Sequence, residues 1–201
     1  MKENIHISGF ADEIGQDFEK QLQTVTGLGM HYISLRSANG KGVADYTAEE
    51  VEQQLLPLLR QYGVGVSSLG SPIGKIPVGD EEAFQKDLVK LEELCKICKV
   101  LNCRYIRIFS FYIDENEDPE PYYDTVVAKL RQYDAIAQKH GVILLHENEK
   151  GIYGDVGSRC KKIFDALASP HFRAAFDFAN FVQCGEDTEQ CWNLLDPYIE
   201  Y

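Results

Sequence analysis

The chain has 201 residues, 44% of them hydrophobic and 26% charged, with 32 acidic against 20 basic side chains and a formal net charge of −12. That length suits one well-packed domain, 1–201, and a field of that sign repels nucleic-acid phosphates, so no nucleic-acid partner is expected. No apolar run reaches the roughly 18 residues of a membrane span, and Met1–His6 lacks the apolar stretch of a secretory signal, so a cytoplasmic protein with a small polar ligand is expected.

Taken in order, apolar and β-branched runs alternate with segments of helical spacing. A strand is expected at Ile5–Phe10, then a helix marked by Leu22, Val25 and Leu28, closed by Gly29. A second strand at Tyr32–Arg36 leads to Thr47 and Glu50, spaced as a capping box. The helix they open carries Val51, Leu55, Leu58, Leu59 and Tyr62, and Gly63 ends it. Strand three is Val64–Leu69. Asp80 caps a third helix with Leu88, Leu91, Leu94, Cys95 and Cys98 on one face. Strand four is Tyr105–Phe111, followed by a helix through Val126, Val127, Leu130, Tyr133 and Ala137 and by Gly141. Strand five is Val142–His146; Cys160, Ile163, Phe164 and Leu167 mark the next helix. Phe172–Phe176 makes strand six, with a short helix near Glu189–Leu195.

Strict β/α alternation implies a parallel sheet flanked by helices. A doubly wound sheet and a barrel both satisfy it, but no GxGxxG follows the first strand, which favours the barrel. The six cysteines, Cys95, Cys98, Cys103, Cys160, Cys184 and Cys191, read as reduced thiols: Cys95-x2-Cys98 has no second pair at zinc-site spacing.

In either architecture the chemistry belongs at the carboxyl ends of strands. The polar residues there are Ser8 and Asp12, Arg36 and Asn39, Ser67 and Ser68, Arg107 and Ser110, then His146-Glu147-Asn148-Glu149-Lys150, and finally Asp177 and Asn180. Glu147 and Asp177 interrupt apolar strands, where a carboxylate is costly unless it meets a cation, a metal or a proton. Two readings stand. The pair holds one divalent ion, or each acid caps a helix or pairs with an arginine such as Arg107. Arg36, Arg107 and Lys150 are candidates for a substrate phosphate or carboxylate, with salt bridges at the rim as the alternative.

The segments ISGFADEIGQDFEKQL, YISLRSANGK, YIRIFSFY, LLHENEKGIYGD and AAFDFANFVQCG resemble the sugar phosphate isomerase/epimerase family of the xylose-isomerase-like barrel superfamily. That group includes ketose 3-epimerases, inosose dehydratases, hydroxypyruvate isomerases and apurinic endonucleases. The resemblance implies an α/β parallel (β/α)8 barrel and a divalent ion (Mn, Mg, Co or Zn) held by Glu, Asp, His and Glu at the ends of strands five to eight. The first two map onto Glu147 and Asp177; the others have no counterpart here. It further implies proton transfer next to a carbonyl through an enediolate, with Glu147 as one acid/base. Substrate-binding roles fall to Asn180, Arg107, Arg36, Glu149, Lys150 and His146. Asn180 and Glu149 stand where the family often has histidine, which leaves the substrate open among a small sugar, a sugar phosphate and a polyol.

On this resemblance the chain carries six of eight βα units, an incomplete barrel truncated before strand seven and inactive by itself. Strands one and six are expected to be unpaired, so a homo-oligomer in which two copies cover each other's open side is one expectation. The implied enzyme is a sugar isomerase or epimerase. The alternatives are an inosose-type dehydratase at the same site, or an incomplete barrel that only binds a sugar.

Overall fold

The computed structural model describes residues 6–201; Met1–Ile5, and with them the first residue of the expected strand one, lie outside them. The chain divides into two compact units: the chain up to Ser71 with Glu92–Ile106, and Pro72–Leu91 with Arg107–Tyr201.

In the first unit, Asp17 caps α1 (Phe18–Gly27), accepting from Lys20 N at 2.8 Å. Phe18, Leu22 and Val25 are buried, and Gly29 leaves the helix at a φ of 74°. Leu28, expected on the buried face, is 72% exposed, because the helix ends at Gly27. β1 (Tyr32–Leu35) is followed by a hairpin absent from the expected set, β2 (Ser37–Ala38) and β3 (Lys41–Gly42). Asn39 and Gly40 at its tip take φ of 53° and 72°, as a two-residue Asn-Gly turn requires. The expected capping box opens α2 (Ala48–Glu50): Thr47 Oγ1 accepts from Glu50 N and Glu50 Oε2 from Thr47 N. A π-helical segment, Val51–Leu55, leads on into α3 (Leu56–Tyr62), which Gly63 closes at a φ of 65°. β4 (Gly65–Leu69) pairs in parallel with β1, and with β5 (Tyr105–Ile108) through Leu69 and Ile106.

Strand one is the main correction. His6–Gly9 form no strand; Phe10 alone makes a parallel bridge to Ser34, supported by Ser34 N donating to Gly9 O at 2.9 Å. The alternation there has no core to bury, since Ile7 is 71% exposed.

In the second unit, Asp80 accepts from Ala83 N at 2.9 Å and starts α4 (Glu81–Leu101), whose residues from Glu92 on belong to the first unit. Strand order runs β5, β6 (Ile143–Glu147), β7 (Phe172–Ala175), with α5 (Tyr123–His140) and α6 (Gly157–Leu167) as the intervening helices. α7 (Phe178–Gln183) and α8 (Thr188–Leu195) follow. The buried face of α5, Val126, Leu130, Tyr133 and Ala137, matches the sequence spacing. Phe84, Phe111 and Tyr133 pack as a ring cluster, each such burial stabilising by about 1.5–3 kcal/mol. The outer edge of β7 is not bare: Ile199 bridges Ala174 in parallel, and Phe176 N donates to Tyr201 O at 3.0 Å.

All six cysteines are free, five buried and Cys184 half-buried. Among the described residues no helix is long and apolar enough to cross a membrane.

Candidate active site

The site is built where β6 and β7 end. Their register sets Glu147 opposite Ala175 and His146 opposite Ala174. Alternation then puts Glu147, Ala175 and, one step on, Asp177 on one face, with His146 and Phe172 on the other. Asn148, 2% exposed, holds the two ends together. Its Nδ2 donates to Asp177 O and its Oδ1 accepts from Asp177 N, both at 2.9 Å, while Asn180 Nδ2 donates to Asn148 O at 2.8 Å. Asp177 also caps α7, its Oδ1 accepting from Asn180 N at 2.8 Å.

Arg107, reaching from β5, donates to Glu147 Oε2 at 3.4 Å. Burial pushes the Glu147 carboxyl above the usual carboxylate range. Arg107 opposes that push, Asp177 and Glu149 reinforce it, and Lys75 pulls back. The helix-capping and arginine-pairing reading of the two acids therefore describes real contacts here, and both coexist with two carboxylates near enough to repel.

Lys75 is the residue that periodicity does not reveal. Its Nζ lies 2.6 Å from Glu149 Oε2 and 4.3 Å from the centroid of the buried Phe109 ring, over which Arg107 Cζ also sits at 4.9 Å. The loop presenting Lys75 is fixed by its neighbour. Gly74 N donates to Asp87 Oδ2 at 2.8 Å, Phe111 N to Gly74 O at 3.0 Å, and Phe109 N to Ile73 O at 2.8 Å. Gly74 adopts a φ of 84°, and a Cβ there would meet Phe109 O at 2.1 Å, so only glycine fits. Tyr133 donates to the same Asp87 oxygen at 3.1 Å; burial raises the Asp87 carboxyl, against the pull of those two hydrogen bonds and the charge of Lys90. Gly74-Lys75 in SPIGKIPVG is a usable signal, a glycine and a cation in the loop after a barrel strand.

The other candidate residues have surroundings of their own. Arg36, in the first unit, makes a two-pronged ion pair with Asp12, Nε to Oδ2 at 2.8 Å and Nη2 to Oδ1 at 2.9 Å. Lys150 is exposed. His146 faces away from Glu147, 1% exposed, stacked on Phe172 at 6.1 Å and edge-on to Phe164 at 5.8 Å; alternation along β6 forbids it from sharing that face.

Among the described residues no three His, Cys, Asp or Glu side chains gather as a metal site. Glu147 and Asp177 nevertheless supply oxygen donors whose mutual repulsion a cation would relieve, two of the four or more that a divalent ion takes. They fit as half of such a site.

The xylose isomerase-like TIM barrel family model matches residues 22–201. The chain belongs to that family. No curated protein matches it. Among solved structures, it is similar to the probable 3-DHS dehydratase AsbF involved in petrobactin synthesis from Bacillus anthracis, at 15% identity and a TM-score of 0.77, covering 98% of this chain and 72% of that one. A xylose isomerase-like TIM barrel protein from Mycobacterium smegmatis in complex with magnesium gives 14% identity and 0.77, covering 96% and 72%. An L-ribulose 3-epimerase gives 14% and 0.75, covering 98% and 69%. At these identities the likeness shows the fold, and the α/β alternation with parallel pairing in each unit is that of an incomplete xylose isomerase-like barrel.

Proposed function

We propose that this family member is a divalent-metal-dependent isomerase or epimerase of a small sugar, sugar phosphate or polyol. One observation carries the reading. Glu147 and Asp177 end adjacent parallel strands on one face, and Glu147 is desolvated with its carboxyl pushed up. A raised carboxyl is closer to the working pH, as proton transfer to and from carbon requires. Glu147 takes the proton from the carbon next to the carbonyl, Arg107 holds its carboxylate in place, and Asn148 fixes its spacing from Asp177. Asp177 and Glu147 would hold the ion, which when bound stabilises the negative charge that develops on the substrate oxygens. Metal binding is the first readout for this chain.

The test is a calorimetric titration with Mn2+, Mg2+, Co2+ and Zn2+, followed by a ketose panel assayed for epimers and for deuterium uptake from D2O. Glu147→Gln and Asp177→Asn should each weaken metal binding; unchanged affinity in both would sink the assignment. A dehydrated product in place of an epimer would move the reading to a dehydratase on the same residues.

A further inference from the structure

We propose that Lys75 and Arg107 together bind a carboxylate or phosphate group of the substrate, so that the site takes a sugar acid or sugar phosphate in preference to a neutral sugar. The inference rests on the reading above that the strand-end cluster is the substrate site. The Lys75 ammonium and the Arg107 guanidinium both rest on the buried Phe109 ring, at 4.3 and 4.9 Å from its centroid, so one rigid ring fixes where both charged heads sit. The side chains of Lys75, Glu149, Arg107 and Glu147 are 29%, 23%, 12% and 16% exposed, enough to meet a solute yet dry enough for charge to count.

Lys75 does not arrive there by chance of a flexible loop. Asp87 pins the amide of Gly74, and Gly74 lies against the Phe109 carbonyl too closely for any other residue. Among the described residues Glu149 takes one of the three ammonium donors of Lys75, leaving two for a ligand oxygen. The charges agree. Glu147, Glu149 and Asp177 exceed Lys75 and Arg107 by one negative charge, and a divalent ion turns this into an excess of one positive charge, which an anionic group meets and a neutral sugar does not. Of the other candidate cations, Arg36 is paired with Asp12.

The test titrates inorganic phosphate, D-gluconate and D-fructose into the 201-residue chain at fixed ionic strength with Mg2+ present, followed by calorimetry. Wild type should bind phosphate or gluconate more tightly than fructose, and the order of those two identifies the anionic group. Lys75→Met should weaken the anion by about 10- to 100-fold, the size of one hydrogen bond to a charged group, and leave fructose unchanged. Lys75→Arg should restore part of the loss, and Lys86→Met, on the exposed face of α4, should change nothing. Near-UV circular dichroism matching wild type shows that each variant is folded. No anion binding by wild type, fructose binding as tight as either anion, or a folded Lys75→Met that binds anions normally would overturn the inference. Metal affinity in the same samples separates the two readings. If Glu147→Gln and Asp177→Asn leave metal affinity unchanged while anion binding still depends on Lys75, only the metal assignment fails. Metal binding that is intact without any Lys75 dependence fails the inference alone.

Discussion

Asp87→Ala is the sharpest probe of how the site is supported. In the wild type one buried carboxylate oxygen accepts from Gly74 N at 2.8 Å and from Tyr133 Oη at 3.1 Å. Alanine leaves both donors buried and unpaired, at about 1–3 kcal/mol each, while removing a carboxyl that burial disfavours. The expected net loss is about 3 kcal/mol, or roughly 6–12 °C in Tm for a chain of this size. Asp87→Asn keeps an oxygen for the same donors and drops the charge, so it should stay within about 1 kcal/mol of wild type at pH 7. The sign of the pH dependence follows from the raised carboxyl. Between the ordinary carboxylate pKa and the higher native one, the native state binds more protons than the unfolded state, so wild-type stability falls as pH rises through that window. The asparagine variant lacks this fall. Urea denaturation of all three proteins across that range measures both effects. An alanine variant within about 1 kcal/mol of wild type, or an asparagine variant as damaged as the alanine one, would refute the reasoning.

Among the described residues His146 has both ring nitrogens buried without a hydrogen-bond partner, and burial lowers its pKa to about 3. The unfolded state therefore takes up a proton that the native state refuses, and stability drops as pH falls from about 6.5 towards 3. His146→Leu should flatten that slope and gain about 1 kcal/mol at neutral pH, read by urea titration; an unchanged slope would count against it. Gly74→Ala should destabilise by more than about 3 kcal/mol, from left-handed strain plus overlap with Phe109 O, whereas Gly79→Ala, where an added Cβ meets nothing, should be near neutral in the same assay. Arg36→Met should raise the Asp12 carboxyl, which burial pushes up but which hydrogen bonds from Arg36 and Ser37 and the Arg36 charge hold below its usual value. Carbon NMR titration of Asp12 reads this, and an unmoved Asp12 titration would count against it.

Five of the expected strands were legible because each is a short, largely apolar run, three of them just after a helix-closing glycine (Gly29, Gly63, Gly141), and these local signals agree with the pairing that forms. Strand one was not, since its alternation is a local pattern and a parallel strand exists only where a neighbour accepts its ladder; here Phe10 alone finds one. Leu28 shows the same limit, as helical spacing continues past the residue where the helix stops. Of the candidate site, Glu147 ends β6 with Glu149 just beyond, Asp177 follows β7 and caps the helix that holds Asn180, and Arg107 reaches over from β5. His146 was separable in principle by counting from Glu147, since adjacent strand residues face opposite ways. Lys75 lies in a loop with no period, placed by a glycine conformation and by Asp87 far along the chain, neither of which spacing encodes.

The side chain of Asn148 offers the backbone of Asp177 one donor and one acceptor at equal distances, which is what a strand residue offers its neighbour. It thus behaves as a surrogate peptide unit and adds a rung to the sheet past the point where the main chain of β6 has turned away. Aspartate at 148 would forfeit the donor and bring another negative charge beside Glu147; glutamine, one carbon longer, would overshoot the rung. The gap between the two carboxylates is therefore set by the length of a single amide side chain, and position 148 is where evolution or design can tune that gap without touching either acid.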